Sequence, residues 1–426
     1  MRACRGALVA SLLALWLVGG ACGGSGRATG EPAGPTDVDA LLAHVERAHP
    51  DPWHDVSRAS FAAAAGRLEA RLPALGPDGT LVELMRLAAL LGARDGHSGI
   101  FPLDTQHRRA LHLYPLRLFG FDDGLRVVGG DPSLVGLRLV AIGDDVPVQR
   151  ALVSVRPLVP ADNAWSRRAR EAQWLVVAEV LHGLGLTASA GPAAFTFERD
   201  DGTQVERTLA AVPAARWAAA NGDLWHPMIP QGLPRRARPA FLARRNAPEW
   251  TARLDRGRAV YVAYNRTLGW SGELADRVRR LARSRAVRGI VLDLRHNPGG
   301  ENAAYEPLLD ALVALARRER IVVLTSRTTF SAAANLLADL EARVRVTIVG
   351  EPSGGSPNLV GDPSPLRLER TGWTVNVGTV WWQKSRRGPG DPRLAFEPDV
   401  RVPLRWADLA AGRDRALAAA LRVATR

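Results

Sequence analysis

IVVLTSRTTFSAAANLLADLEARVRVTIVG, residues 321–350, is the stretch on which the fold turns. Its first five residues form a continuous apolar run rich in β-branched side chains, the pattern of a strand buried on both faces. A short polar turn follows. From Ser331 the period changes, and Ala332, Leu336, Leu337 and Leu340 fall on one face of a helix. Residues 344–349 then read as a second strand. Ser331 sits at the mouth of the helix, where unpaired N–H groups and the positive end of the dipole favour negative charge. A nucleophilic oxygen and its developing oxyanion suit such a place. Serine is also among the commonest residues that merely cap a helix, so the stretch by itself predicts the elements and leaves the chemistry open.

Just upstream, GIVLDLRHNPGGENA (residues 289–303) reads as a buried strand, a loop ending Pro298-Gly299-Gly300, and a helix. Paired glycines let backbone approach a ligand and aim N–H groups at it; taken alone they are also an ordinary strand–helix turn. Further upstream lie a strand at 259–264 and a helix at 274–283. The alternation of β and α argues for parallel strands with right-handed crossovers, in a domain spanning residues 241–426. The glycine loop and Ser331 then share the C-terminal edge of one sheet, where sites form.

The N-terminal part has a different texture. Arg2 and Arg5 precede an apolar run at 7–18, then small residues and Cys22, so residues 1–22 read as a signal peptide. This run is short for a membrane span. The only cysteines are Cys4 and Cys22, which leaves the exported chain without a disulfide and with one cysteine, at its first position if cleavage precedes Cys22. That arrangement resembles a bacterial lipoprotein signal with Cys22 lipidated, although Gly19 stands where leucine is usual; a general secretory signal is the alternative. Both place the protein outside the cytoplasm, in the cell envelope, as a membrane-anchored lipoprotein or a periplasmic or secreted protein. Residues 23–36 form a Gly-, Pro- and Ser-rich tether. Three helical periodicities at 37–103 predict a helical domain that ends in the loop Arg94-Asp95-Gly96-His97-Ser98-Gly99. Short strands at 104–160 resemble a PDZ-like module, without its glycine-rich carboxylate-binding loop; a β-rich packing domain reads equally well. Residues 161–240 read as a helix, a hairpin turning at Asp200-Asp201-Gly202, and a bridging loop at 214–239.

Composition narrows the partners. The 426 residues are 46% hydrophobic and 23% charged, as in an ordinary globular protein. A formal charge of +13 invites nucleic acid, yet it comes from scattered arginines, with one lysine, Lys384, among 56 basic residues. No run of five or six and no nucleic-acid-binding motif accompanies them, so nucleic acid is excluded as the main partner. Anionic headgroups at a membrane surface are a milder use of the charge.

VLDLRHNPGG, then TSRTTFSAAANLLADLE and VGEPSGG, together with the Asp95-Gly96-His97-Ser98 loop and the closing EPDVRVPLRWADLAAGRDRAL, resemble the tail-specific (C-terminal-processing) serine peptidases. The motifs are separated, in order, and cover most of the mature chain. The resemblance implies an α+β multidomain fold: a crotonase-like ββα catalytic domain, a helical N-terminal cap and a PDZ-like insert. It implies Ser331 as nucleophile, an oxyanion hole from the amides of Ala332 and the Gly299-Gly300 loop, a peptide or unfolded-protein substrate, and no metal or cofactor. Many members activate the serine with a lysine about 25 residues on; here that position is Ser356, and Lys384 lies elsewhere. The tricorn-like branch uses a histidine instead, and His97 matches it; a neutral imidazole can take the serine proton near pH 7. The acidic partner in that branch precedes the terminal Pro398-Asp399, which points to Asp391, with Glu397 and Glu351 as rivals. Two other readings stay open. One is a non-catalytic protein using the same fold to bind peptide or an apolar ligand, as interphotoreceptor retinoid-binding protein does for apolar ligands. The other, an acyl-CoA enzyme of the crotonase fold, sits badly with the peptidase motifs and with export.

Overall fold

The computed structural model describes residues 36–103, 110–221, 239–244 and 246–426. The signal peptide, Cys22, nearly all of the tether and residues 222–238 of the expected bridging loop lie outside them. Thr36 opens α1 (Asp37–Ala48) with a capping box, accepting the Asp39 N–H while the Asp39 carboxylate takes the Thr36 N–H. Helices α2 (Arg58–Arg71) and α3 (Pro77–Ala88) follow. Their apolar stripes, including Leu41, Val45, Phe61, Leu81, Leu84 and Met85, are fully buried.

Strands β1 (Leu116–Phe121), β2 (Gly124–Gly130) and β3 (Arg138–Ile142) begin an antiparallel sheet. Helices α4 (Val148–Val155) and α5 (Ala164–Trp174) come next, then strands β4 (Ala193–Glu198) and β5 (Gln204–Leu209). The order is β1-β2-β3-β4-β5, with Ile142 opposite Phe195. The sheet therefore continues past residue 160, where the local strand pattern stops, and takes in the hairpin assigned to 161–240. Phe195 and Phe197 point inward in register with a partner strand far upstream, which alternation within the hairpin cannot reveal. The cap helices and this sheet share one apolar core, reaching from Leu41 and Phe61 to Leu118, Phe195 and Val375.

The C-terminal half holds a second sheet. Its members are β6 (Glu249–Leu254), β7 (Ala259–Tyr264), β8 (Gly289–Asp293), β9 (Arg320–Thr325), β10 (Val346–Gly350) and, after a long hairpin of β11 (Asn358–Arg367) and β12 (Thr374–Gln383), β13 (Val400–Arg401). The sheet order is β13-β10-β9-β8-β7-β6, parallel except that β6 runs antiparallel to β7. Helices α6 (Gly272–Ala282), α7 (Glu306–Leu315) and α8 (Ala332–Arg343) cover one face, against Val260, Ile290, Leu292 and Val323. Helix α9 (Arg415–Ala424) covers the other, against Tyr261, Val291, Val322 and Leu324. Both faces are dry, which is why β8 and β9 read as continuous apolar runs.

Two features carry the site. A buried chain Asp293–Arg295–Asp414 ties the end of β8 to the start of α9. The β11–β12 hairpin reaches across to the N-terminal cap, where Gly99 and Asn376 exchange both backbone hydrogen bonds, at 2.8 and 2.9 Å.

Candidate active site

Residues 326–331 climb from the end of β9 to the mouth of α8. Ser326 Oγ donates to the Arg295 carbonyl (2.7 Å), Thr329 Oγ1 to that of Leu294 (2.9 Å), and the Phe330 N–H to that of Asn297 (3.1 Å). The loop after β8 thus sets the path. Ser331 adopts φ +53°, ψ −127°, a conformation that residues with a Cβ rarely hold. Its side chain accepts no helix amide. The capping reading of Ser331 is therefore excluded; His97 Nε2 lies 3.0 Å from its Oγ instead.

His97 is held from three sides. Its ring stacks on Phe330 with centroids 4.6 Å apart. Arg170 of α5 covers the same Phe330 at 4.5 Å and donates to the carbonyls of Gly96 (2.8 Å) and Pro160 (2.6 Å). Asp162, fully buried ahead of α5, accepts the amides of Gly96 (2.8 Å) and Ser356 (2.9 Å). Burial, and then the Arg170 guanidinium, push His97 down to about 4, against Asp95 and the Val360 carbonyl, which favour its charged form. The imidazole is thus neutral across the physiological range. Its Nδ1 has no well-formed hydrogen bond among the described residues. Burial pushes Asp162 the other way, up to about 7, although the Ser356 and Gly96 amides and Arg170 oppose it.

The glycine loop divides in two. Gly299 (φ +108°) presses against the nucleophile: a Cβ there would stand 2.5 Å from Ser331 Cβ and 2.9 Å from Ala332 N. Its own N–H is taken by Asn297 Oδ1 at 2.9 Å. The amides of Gly300 and Ala332 carry no partner among the described residues. Of the amides expected to stabilise an oxyanion, those two are free of such partners and that of Gly299 is engaged. Beside them runs a mostly apolar cleft of about 350 Å³, lined by His97, Phe101, Ala169, Arg170, Pro298 and Phe330 among others.

The carboxylates expected to orient His97 lie in other surroundings. Asp391 is buried, but it accepts from Ser385 Oγ and from Arg393, and its chain carbonyl takes Arg94 (2.6 Å). Burial works against its charge, yet the Arg393 and Ser385 hydrogen bonds hold its carboxyl well below the usual range. Glu351 is engaged by Arg327 in a buried bidentate pair, and Glu397 is exposed. None of the three bonds to His97. Ser356 Oγ is turned to the Leu394 carbonyl (2.8 Å), Ser98 Oγ to the Gly378 N–H (2.8 Å), and Lys384 to Asp339 (2.9 Å). Among the described residues no group of three or more His, Cys, Asp or Glu is placed to hold a metal ion. Sequence reasoning passed over Asp162, Arg170 and Phe330, which read locally as a pre-helix turn, a solvated arginine and a core aromatic.

No family model matches the chain, and no curated protein does. Solved structures do. Mature CPAF complexed with lactacystin is 14% identical, aligned over 91% of this chain and 97% of that one with a TM-score of 0.60. Mature CPAF alone is 13% identical, over 91% and 95%, with a TM-score of 0.58. The photosystem II D1 C-terminal processing protease aligns over 89% of this chain and 97% of that one, at 16% identity and a TM-score of 0.40. What the chain shares with mature CPAF is a mixed α/β fold along nearly its whole length, in keeping with its likeness to the tail-specific peptidases.

Proposed function

We propose that the chain is an exported serine endopeptidase that hydrolyses peptide bonds in peptides or unfolded segments through an acyl-enzyme on Ser331. The observation that carries this reading is the 3.0 Å contact between Ser331 Oγ and a desolvated, neutral His97, at a serine whose backbone forgoes capping. His97 Nε2 takes the hydroxyl proton as Oγ adds to the substrate carbonyl, and the oxyanion faces the Gly300 and Ala332 amides. His97 returns the proton to the leaving amine, and water repeats the sequence to release the acid. We read the catalytic half as crotonase-like, the antiparallel sheet as PDZ-like, and the branch as tricorn-like, because Ser356 stands in place of a catalytic lysine.

A fluorophosphonate probe should label the wild type at Ser331 and leave Ser331→Ala unlabelled, with His97→Ala slowed by roughly 10²–10⁴-fold. A wild type that is neither labelled nor able to cut an unfolded protein sinks the reading. For export, we propose lipidation at Cys22: Cys22→Ser should move the protein from the membrane to the soluble fraction, and unchanged partitioning overturns the anchor. The lack of any hydrogen bond from Asp391, Glu397 or Glu351 to His97 favours one second reading, a module that binds peptide without turnover. Wild-type and Ser331→Ala proteins binding a peptide equally, with no cleavage by either, would select it.

A further inference from the structure

The charged form of His97 is favoured by Asp95 and the Val360 carbonyl, and by none of the three carboxylates that sequence reasoning proposed. The charged and titratable groups around His97 are Arg170 across Phe330, Asp162 behind Gly96, and Asp95 in its own loop, with the Val360 carbonyl as a neutral acceptor beside them. Asp162 is spent on two amides. Asp95 differs, because it is held by a second histidine. His49 Nδ1 accepts the Asp51 N–H at 3.1 Å, which leaves the proton on Nε2, and Nε2–H donates to Asp95 Oδ2 at 3.1 Å. Both side chains are wholly buried, and the His49 ring is stacked on His54 with centroids 5.6 Å apart. The other oxygen, Oδ1, accepts the Ser98 N–H at 3.0 Å. That bond closes a turn whose two central residues are Gly96 and His97.

We propose that Asp95, locked by His49, is the positioning carboxylate of this site: it shapes the turn that aims His97 at Ser331 and supports the imidazolium formed during proton transfer, in place of an acid from the C-terminal half. The inference rests on the peptidase reading above. Asp95 acts through the turn and through its charge, without touching the reacting atoms. The His49-Pro50-Asp51-Pro52 break frees His49 for this pair: the first proline ends α1, so His49 leaves the helix at φ −77°, ψ 133°.

The test uses the full chain and separates charge from shape. Asp95→Asn/His49→Gln keeps an amide-to-amide hydrogen bond and the turn acceptor while removing the charge. Labelling and peptide hydrolysis should persist, with kcat lower by about 10- to 100-fold, KM within about twofold, and the acid limb of the rate shifted below that of the wild type. A second pair guards against a variant that does not fold. His49→Leu, which strips the donor from Asp95, should lower kcat, and His49→Gln, which restores one, should recover most of it. Wild-type kcat and acid limb in the double variant, or equal kcat in His49→Leu and His49→Gln, overturn the inference while leaving a labelled Ser331 intact. An unlabelled wild type overturns the peptidase reading itself.

Discussion

The helices that open at Thr36 and Ser57 show what a capping hydroxyl does here. Both residues sit at φ near −70°, and each accepts an amide from its own first turn. Ser331 holds φ +53° and accepts none, at a backbone cost of roughly 1–3 kcal/mol. Glycine adopts that conformation freely, so Ser331→Gly should match or exceed wild-type stability by up to about 1–2 kcal/mol in denaturant unfolding while losing all labelling. A stability loss would mean that the elbow is unstrained. Gly299 is the complementary case. Gly299→Ala drives a methyl into Ser331 Cβ and the Ala332 amide, and should cost about 1–3 kcal/mol together with the activity. An active, stable Gly299→Ala protein would show that the loop can retreat. For His97, held at about 4, the acid limb of kcat/KM should lie near pH 4 instead of near 6.5. A limb at 6.5 would place the titrating base elsewhere.

Among the elements, those buried on both faces were the legible ones. The strand read at 259–264 is β7 as observed, and β9 and β10 begin or end within two residues of the spans read at 321–325 and 344–349. The β11–β12 hairpin escaped notice because Pro363 and Pro365 interrupt its first strand and weaken the pattern. Yet this hairpin fixes the histidine loop, through Gly99–Asn376 and Ser98–Gly378. The candidate site divides likewise. Ser331, His97 and the glycine loop lie in compact motifs. The carboxylates do not announce their partners: Asp391 turns out to serve Arg393, and Asp95 reads locally as a turn residue. Arg327 belongs to this scale too, because it pairs with Glu351 and also donates to the Gly120 carbonyl of β1, tying the parallel sheet to the antiparallel one. Arg327→Met leaves Glu351 buried and unpaired, so equilibrium unfolding should show a loss of about 3–5 kcal/mol. Adding Glu351→Leu should recover much of it; a double variant as weak as the single would point to the Gly120 contact instead.

Across the whole molecule, two buried groups pull stability in opposite directions with pH. His97 has its pKa lowered from 6.5 to about 4, so in that window the unfolded chain binds a proton that the folded protein refuses, and the contribution of His97 to stability is lost as pH falls. Asp162 is raised from 3.8 to about 7, so the folded protein retains a proton there, and that contribution is lost as pH rises. His97→Ala removes only the first effect. Relative to wild type it should gain stability as the pH falls from about 6.5 toward 4, read from melting temperatures in a pH series. A constant difference between the two proteins would mean that His97 titrates as in a peptide. The contact between His97 and Ser331 spans 234 positions of the chain, and the bond from Arg94 to Asp391 spans 297. Neither partner exists for the other until more than three quarters of the chain has been made, and closing so long a loop comes late in folding. A half-made chain therefore lacks the pairing of His97 with Ser331 altogether. The candidate site is assembled only when the last quarter of the polypeptide docks on the first.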